Sequence, residues 1–330
     1  MKNRIVYIDI AKAICIILVV IGHYVPSDSP DWWMMIHDII YSFHMPLFMF
    51  ASGFIYIATY KKKQSYKDFL VKKIKRLMVP YFVVSFLIIS IKLLTESHLY
   101  VENPKTIMSY IKMFYYPEAG YFLWFIWALW WMFIIVPLFK NRNNRLVLFI
   151  ISILLAYIPI NITDIFCLAQ FKRMLIYFMS GVIVYDWKKI FSHAKRVPTM
   201  GYILFFIGLF TLQMFNEWGG ALYIINTVTA FVGIAFIVSL SMYMNRKISN
   251  IKWLLTISSS SYIIYLFHTT FQGFAKAIVF RTPYLNDMNN DVMFLSGAII
   301  VVSCGVFIPI LLNEFVLKRY NITRILFGLK

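Results

Sequence analysis

Stretches of about twenty predominantly apolar residues recur along the whole of this 330-residue chain, and each is long enough to cross the hydrocarbon core of a bilayer as a helix. Lipid offers no partner to an open backbone N–H or C=O, so each segment must close its hydrogen bonds internally or within a barrel. The stretches lack the period-two alternation of outer-membrane strands. They predict an all-α fold, a polytopic membrane helical bundle. Composition agrees, since 61% of the residues are apolar and the mean hydropathy is +0.73, outside the range of soluble domains. The longest connection, Glu96 to Gly120, is too short for an extramembrane domain, so residues 1–330 are expected to form a single membrane domain.

Ten transmembrane spans are expected, at about 7–25, 36–59, 77–95, 121–139, 145–160, 173–187, 200–216, 221–244, 254–280 and 292–317. Of the 32 Lys and Arg, 24 lie in the connections 60–76, 140–145, 188–199 and 245–253 or at the two termini. The positive-inside rule places these on one side, with both termini cytoplasmic, and an odd number of spans would break the alternation. The net charge of +18 is then an orientation signal, and no nucleic-acid partner is expected. Cys15, Cys167 and Cys304 show neither disulfide nor metal spacing. Met1 to Val25 has a basic start but no small-residue cleavage end, so a removed signal peptide is not expected.

The first span, YIDIAKAICIILVVIGHYV, carries Asp9, Lys12 and His23. Each ionisable group at depth costs roughly 2.5 to 3.5 kcal/mol, which some interaction must offset. Lys12 and His23 are eleven residues apart, about three turns, and so share nearly one face, with Asp9 one turn below Lys12. Two readings fit. In the first, Lys12 snorkels to the cytoplasmic surface, Asp9 pairs with a nearby cation and His23 caps the outer end. In the second, Lys12 receives an anion at the mouth of a passage and His23 does acid–base work deeper along the same stripe.

His44, followed by Pro46, sits in span 2, and His268 in span 9, close after Ser261 and Tyr262. Each alone reads as a buried, hydrogen-bonded histidine. Their depth, matched to that of His23, allows one pocket. No carboxylate lies at that level to support a metal, so none is expected. The stretch PSDSPDWWMMIHD, with two Trp and no Lys or Arg, reads as an interfacial anchor. Tyr66, Phe69, Leu70, Ile74 and Leu77 are spaced as an amphipathic helix lying in the cytoplasmic interface before span 3. Lys72, Lys73, Lys75 and Arg76 serve either as topology determinants and lipid-headgroup contacts or, for Lys73 and Arg76, as a compact cationic pair for phosphates. Trp124, Trp127, Trp130 and Trp131 form a packing surface or line a sugar or acyl pocket.

Taken together and in order, YIDIAKAICIILVVIGH, SFHMPLFMFASGF, KKIKRLMVPY, LWF and SYIIYLFH resemble the acyltransferase family 3 membrane proteins, in the fucose 4-O-acetylase-like branch. The family's basic residue, ten intervening residues and histidine on span 1 match Lys12 and His23, and its basic-x-x-Arg pair at the start of span 3 matches Lys73 and Arg76. Lys stands at both first positions where many members have Arg, which keeps the charge without the bidentate fork. The resemblance implies a multi-pass protein of the bacterial cytoplasmic membrane. It would act as an O-acyltransferase, most simply an O-acetyltransferase, using acyl-CoA, usually acetyl-CoA, as donor and a hydroxyl of a surface or lipid-linked glycan as acceptor. On this reading His23 is the general base, and His44 and His268 orient the acceptor or steady the oxyanion. Lys12, Lys73 and Arg76 hold the donor's phosphates, and Asp9, Trp124 and Tyr262 contact substrate. A covalent acyl-histidine relay is the other mechanism, and a polysaccharide or lipid-linked sugar exporter without catalysis is the other function.

Overall fold

A computed structural model describes residues 5–60, 64–95, 103–160, 162–187, 198–214, 221–282 and 290–329. Among them regular structure is helical, with no strand. In chain order the principal helices are α1 (Val6–Gly22), α2 (Asp31–Tyr41), α3 (His44–Ala58), α4 (Tyr66–Thr95), α5 (Tyr121–Leu138), α6 (Arg142–Tyr157), α7 (Ile165–Asp186), α8 (Thr199–Met214), α9 (Ala221–Lys247), α10 (Lys252–Val279), α11 (Asp291–Leu317) and the short α12 (Asn321–Leu326). Among the described residues, six helices are able by length and composition to cross a membrane: α2 with α3 taken together (Asp31–Ala58), α4, α5, α7, the stretch Leu222–Lys247 of α9, and α11. The chain is thus an all-α polytopic bundle.

The contacts divide it into two compact units, Met1–Ile57 with Ser180–Leu311, and Ala58–Met179 with Leu312–Lys330. In the first unit α1 is central. It packs along α10 and α9, and α8 packs on α9. Its Ile8, Ile10, Ala13, Ile16, Val19 and Val20 are buried, which explains how a helix carrying Asp9 and Lys12 is held. Small residues set the closest approaches, as expected where lipid removes the hydrophobic drive between helices. Gly181 on α7 lies against the backbone of α3, where an added Cβ would meet Phe50 O at 2.1 Å. Gly22, the last residue of α1, lies under the Tyr41 ring, where a Cβ would meet Cε2 at 2.9 Å.

The stretch expected as an interfacial anchor is helical from Asp31 onward. α2 begins at Asp31, and its Trp pair packs inward. Trp33 is buried, donates from Nε1 to Tyr24 O at 2.7 Å, and meets the rings of Tyr24 and Phe294 edge-on. Trp32 Nε1 donates to Asp291 Oδ1 at 2.7 Å. Tyr24, Trp33, Phe294, Ala298 and Val301 form one core cluster, and Trp32 packs half-buried against it.

In the second unit the expected interfacial helix does not turn before span 3. Tyr66–Thr95 runs on as one helix, through a π-helical turn at Ile74–Met78. Ser65 caps it, accepting from Asp68 N at 3.1 Å, and Asp68 adds a carboxylate to the first turn. Of the five residues expected on the apolar face, Leu77 is buried while Tyr66 and Ile74 are exposed. The Tyr81 hydroxyl donates to Met113 O at 2.8 Å and also lies 3.1 Å from Tyr116 O, tying the following connection to α4.

Candidate active site

In the first unit three helices converge on a group of imidazoles. His23 follows Gly22 at the end of α1, its N–H bonded to Val19 O at 3.1 Å, and is half-buried. His44 opens α3 and His268 lies midway along α10; both are buried. The His23 and His268 ring centroids are 4.9 Å apart. His44 reaches the group through Tyr41, whose ring lies 4.7 Å from His44 and 6.3 Å from His23. The histidines of spans 1, 2 and 9 thus lie near one another within this unit, His44 by way of the Tyr41 ring.

The hydrogen bonds fix the chemistry of two of these rings. His268 Nδ1 lies 2.8 Å from Tyr265 O and 3.1 Å from Ile264 O, and His44 Nδ1 lies 2.8 Å from Ile40 O. A carbonyl only accepts, so each Nδ1 carries a proton. In the neutral ring Nε2 is then an acceptor, a state suited to orienting a hydroxyl rather than to donating to an oxyanion. The Cys15 thiol donates to His44 O at 3.0 Å and locks the start of α3 to α1.

Sequence reasoning missed His37 and Tyr41. His37 stacks on Tyr41 with centroids 3.9 Å apart, and its Nδ1 lies 3.0 Å from Asp38 Oδ1. Their signal was legible: 37, 41 and 44 follow the i, i+4, i+7 spacing of one helical face. The expected span 36–59 holds all three, but it reads as one unbroken helix, whereas the structure ends α2 at Tyr41 and opens α3 at His44. Among the described residues no group of three or more His, Cys, Asp and Glu side chains is placed to hold a metal ion.

Lys12 and Asp9 are half-buried on α1, and Ser258 Oγ on α10 donates to Asp9 Oδ1 at 3.2 Å. Tyr262 lies one turn beyond Ser258 on α10 and is half-buried. Between Lys12 and His23 the shared stripe is occupied by the buried apolar Ile16, Val19 and Val20. The stripe thus has a charged end and an imidazole end separated by packed hydrocarbon, not a continuous polar lining.

Lys73, Arg76 and Trp124 belong to the second unit. Lys73 directly precedes the π turn and Arg76 lies within it, exposed, so this pair is not at a helix start. Lys73 Nζ sits 3.5 Å from the Phe133 ring centroid and 5.3 Å from that of Phe69. This cation–π cradle supports the ammonium on one side and leaves its direction fixed. Trp124 follows the 3₁₀ turn Tyr121–Leu123 at the head of α5, half-buried and edge-on to Phe125.

Helices of membrane-spanning length with a histidine centre in one unit and basic residues at a π turn in the other define a multi-pass membrane protein with an ionisable interior. The chain belongs to acyltransferase family 3, whose model, described as an acyltransferase domain, matches residues 5–314. It is similar to the nodulation protein NolL of Mesorhizobium japonicum, 30% identical over 212 residues, covering 56% of this chain and 52% of that protein. It is likewise similar to the nodulation protein NolL of Sinorhizobium fredii, 29% identical over 169 residues, covering 49% of this chain and 44% of that protein. The chain thus spans about half the length of the curated relatives it matches. No solved structure matches it.

Proposed function

We propose that the protein is a membrane O-acyltransferase that moves an acyl group, acetyl in the simplest case, from acyl-CoA to a hydroxyl of a surface or lipid-linked glycan. The proposed setting is a bacterial cytoplasmic membrane with both termini on the cytoplasmic side. Family membership supports the reaction class, and the 4.9 Å approach of His23 to His268 carries the choice of centre. His23 takes the proton of the acceptor hydroxyl as that oxygen attacks the thioester carbonyl carbon. The carbon–sulfur bond breaks, the new ester forms, and His23 returns the proton to the departing thiolate, giving free CoA. With Nδ1 of His268 and His44 committed to backbone carbonyls, their proposed role is to orient hydroxyls through Nε2. Lys12, Lys73 and Arg76 are assigned to the donor's phosphates. Asp9, held by Ser258, is assigned with Tyr262 and Trp124 to substrate contacts.

The test is acyl transfer by purified full-length protein, followed as CoA release from acetyl-CoA in the presence of oligosaccharides freed from the producing cells. His23→Ala is expected to lower the rate about 100-fold or more, the scale of a lost general base, while the variant keeps its unfolding temperature. Undiminished transfer by His23→Ala would remove the assignment.

A further inference from the structure

A second constellation lies in the second unit, in the connection that precedes α5 and the turn that opens α7. Tyr116 and Tyr121 present two rings with centroids 6.1 Å apart and planes inclined by 39°. Tyr121 is 43% exposed, and Gln170 Nε2 donates to its hydroxyl at 2.6 Å, which fixes the ring's direction. Glu118 is held from two sides, by Lys105 Nζ at 3.4 Å and by Ser109 Oγ donating at 3.1 Å. Asp164, on the turn before α7, is exposed.

The backbone around these groups is pinned in an unusual way. Phe166 and Cys167 both adopt φ of 55°, a left-handed conformation that costs a side-chain-bearing residue about a kcal/mol or more. That turn lets Phe166 N donate to Tyr115 O at 2.7 Å, while Phe166 O accepts from Trp131 Nε1 at 3.0 Å. Tyr81 holds the same connection through Met113 O. The aromatic pair and the carboxylate are therefore presented by a braced platform. The Tyr116 phenol is pushed up from its ordinary value by burial first and then by Tyr121, Asp164, Cys167 and Glu118, which places both carboxylates in the field of that hydroxyl.

We propose that Tyr116, Tyr121, Glu118, Asp164 and Gln170 form a carbohydrate-binding platform that docks the glycan acceptor. A pyranose offers a C–H face and a rim of hydroxyl donors. The inclined tyrosines supply an aromatic surface for the former, and the carboxylates and amide supply acceptors and a donor for the latter. A metal ion is the poorer match, because Lys105 already neutralises Glu118. The inference deepens the proposed acyl transfer by naming where its acceptor is held, and it rests on that reading. The orientation proposed from the charge distribution puts this connection on the extracytoplasmic side, where a surface glycan is encountered.

The experiment measures binding without donor, so it decides the platform even if acyl transfer is never seen. Oligosaccharides released by mild acid from the surface of the producing cells are mixed with the purified full-length protein in detergent, and saturation transfer to sugar ring C–H protons is recorded by NMR. The parent protein is expected to show transfer, and Tyr121→Ala to weaken binding about threefold to tenfold, the size of one lost aromatic contact. Tyr121→Phe, which keeps the ring, retains most of the binding, Glu118→Gln weakens it, and Gly208→Ala, where an added Cβ meets nothing within 4 Å, leaves it unchanged. No transfer to the parent protein would overturn the proposal, as would equal binding by Tyr121→Ala and Glu118→Gln when both elute and melt like the parent.

Discussion

Replacing Gly181 by Ala tests how closely α3 and α7 approach. The added Cβ would lie 2.1 Å from Phe50 O, 2.8 Å from Phe54 N and 3.0 Å from Phe50 C. Ordinary contact begins at 3.4 Å, so relief requires the two backbones to part by about 1.3 Å. The obstacle is main chain, which no rotamer change can move aside. Overpacking typically costs 1–3 kcal/mol, and a backbone obstacle puts this substitution near about 3 kcal/mol. Cys15 and Cys167 are buried, and Cys15 is tied to α3, so with the half-buried Cys304 replaced by Ala in parent and variants alike a thiol-reactive dye reports unfolding. On heating in detergent, Gly181→Ala is expected to expose thiols roughly 5 °C or more below the parent. Gly208 on α8, whose added Cβ meets nothing within 4 Å, supplies the control: Gly208→Ala melts like the parent. Equal melting of Gly181→Ala and the parent would refute the packing argument.

Three further outcomes follow from particular contacts. His268→Asn keeps a donor where Nδ1 stood and His268→Gln keeps polar atoms nearer Nε2, so Gln should retain the greater share of the rate and Asn lose roughly tenfold more, read as initial velocity. Trp33→Phe removes the bond to Tyr24 O inside the aromatic cluster and is expected to cost about 1 to 3 kcal/mol, seen as a lower unfolding midpoint. Lys73→Met keeps an unbranched apolar side chain beside Phe133 but removes the charge. It should raise the apparent KM for acyl-CoA about tenfold with kcat little changed, and a changed kcat with constant KM would place Lys73 elsewhere in the reaction.

The parts of the fold that local chemistry dictates were legible. Apolar runs of membrane length become helices because nothing else satisfies their backbone in lipid, and Ser65 caps where a Ser before an acidic first turn should. The three histidines were recoverable because depth along a span is a count of residues. What escaped was set by partners remote in sequence. Trp33 finds Phe294 across the fold, and without that contact a tryptophan pair beside a polar stretch reads as a membrane anchor. Tyr41 enters the imidazole group because Gly22 on α1 leaves room for its ring, a contact between helices that no local pattern encodes. The π turn at Ile74–Met78 has no propensity mark of its own and arises from packing, so Lys73 and Arg76 were expected at a helix start.

That wide turn also acts as a rotational offset. It accommodates one more residue than a regular turn, and each residue advances the helix by about 100°. Shortening the segment by one position would let hydrogen bonding regularise, yet it would swing everything upstream by that angle, carrying the Lys73 ammonium off the Phe133 ring. Chain length here is therefore tuned to where a charge points, and a deletion neutral for helix formation would still redirect it.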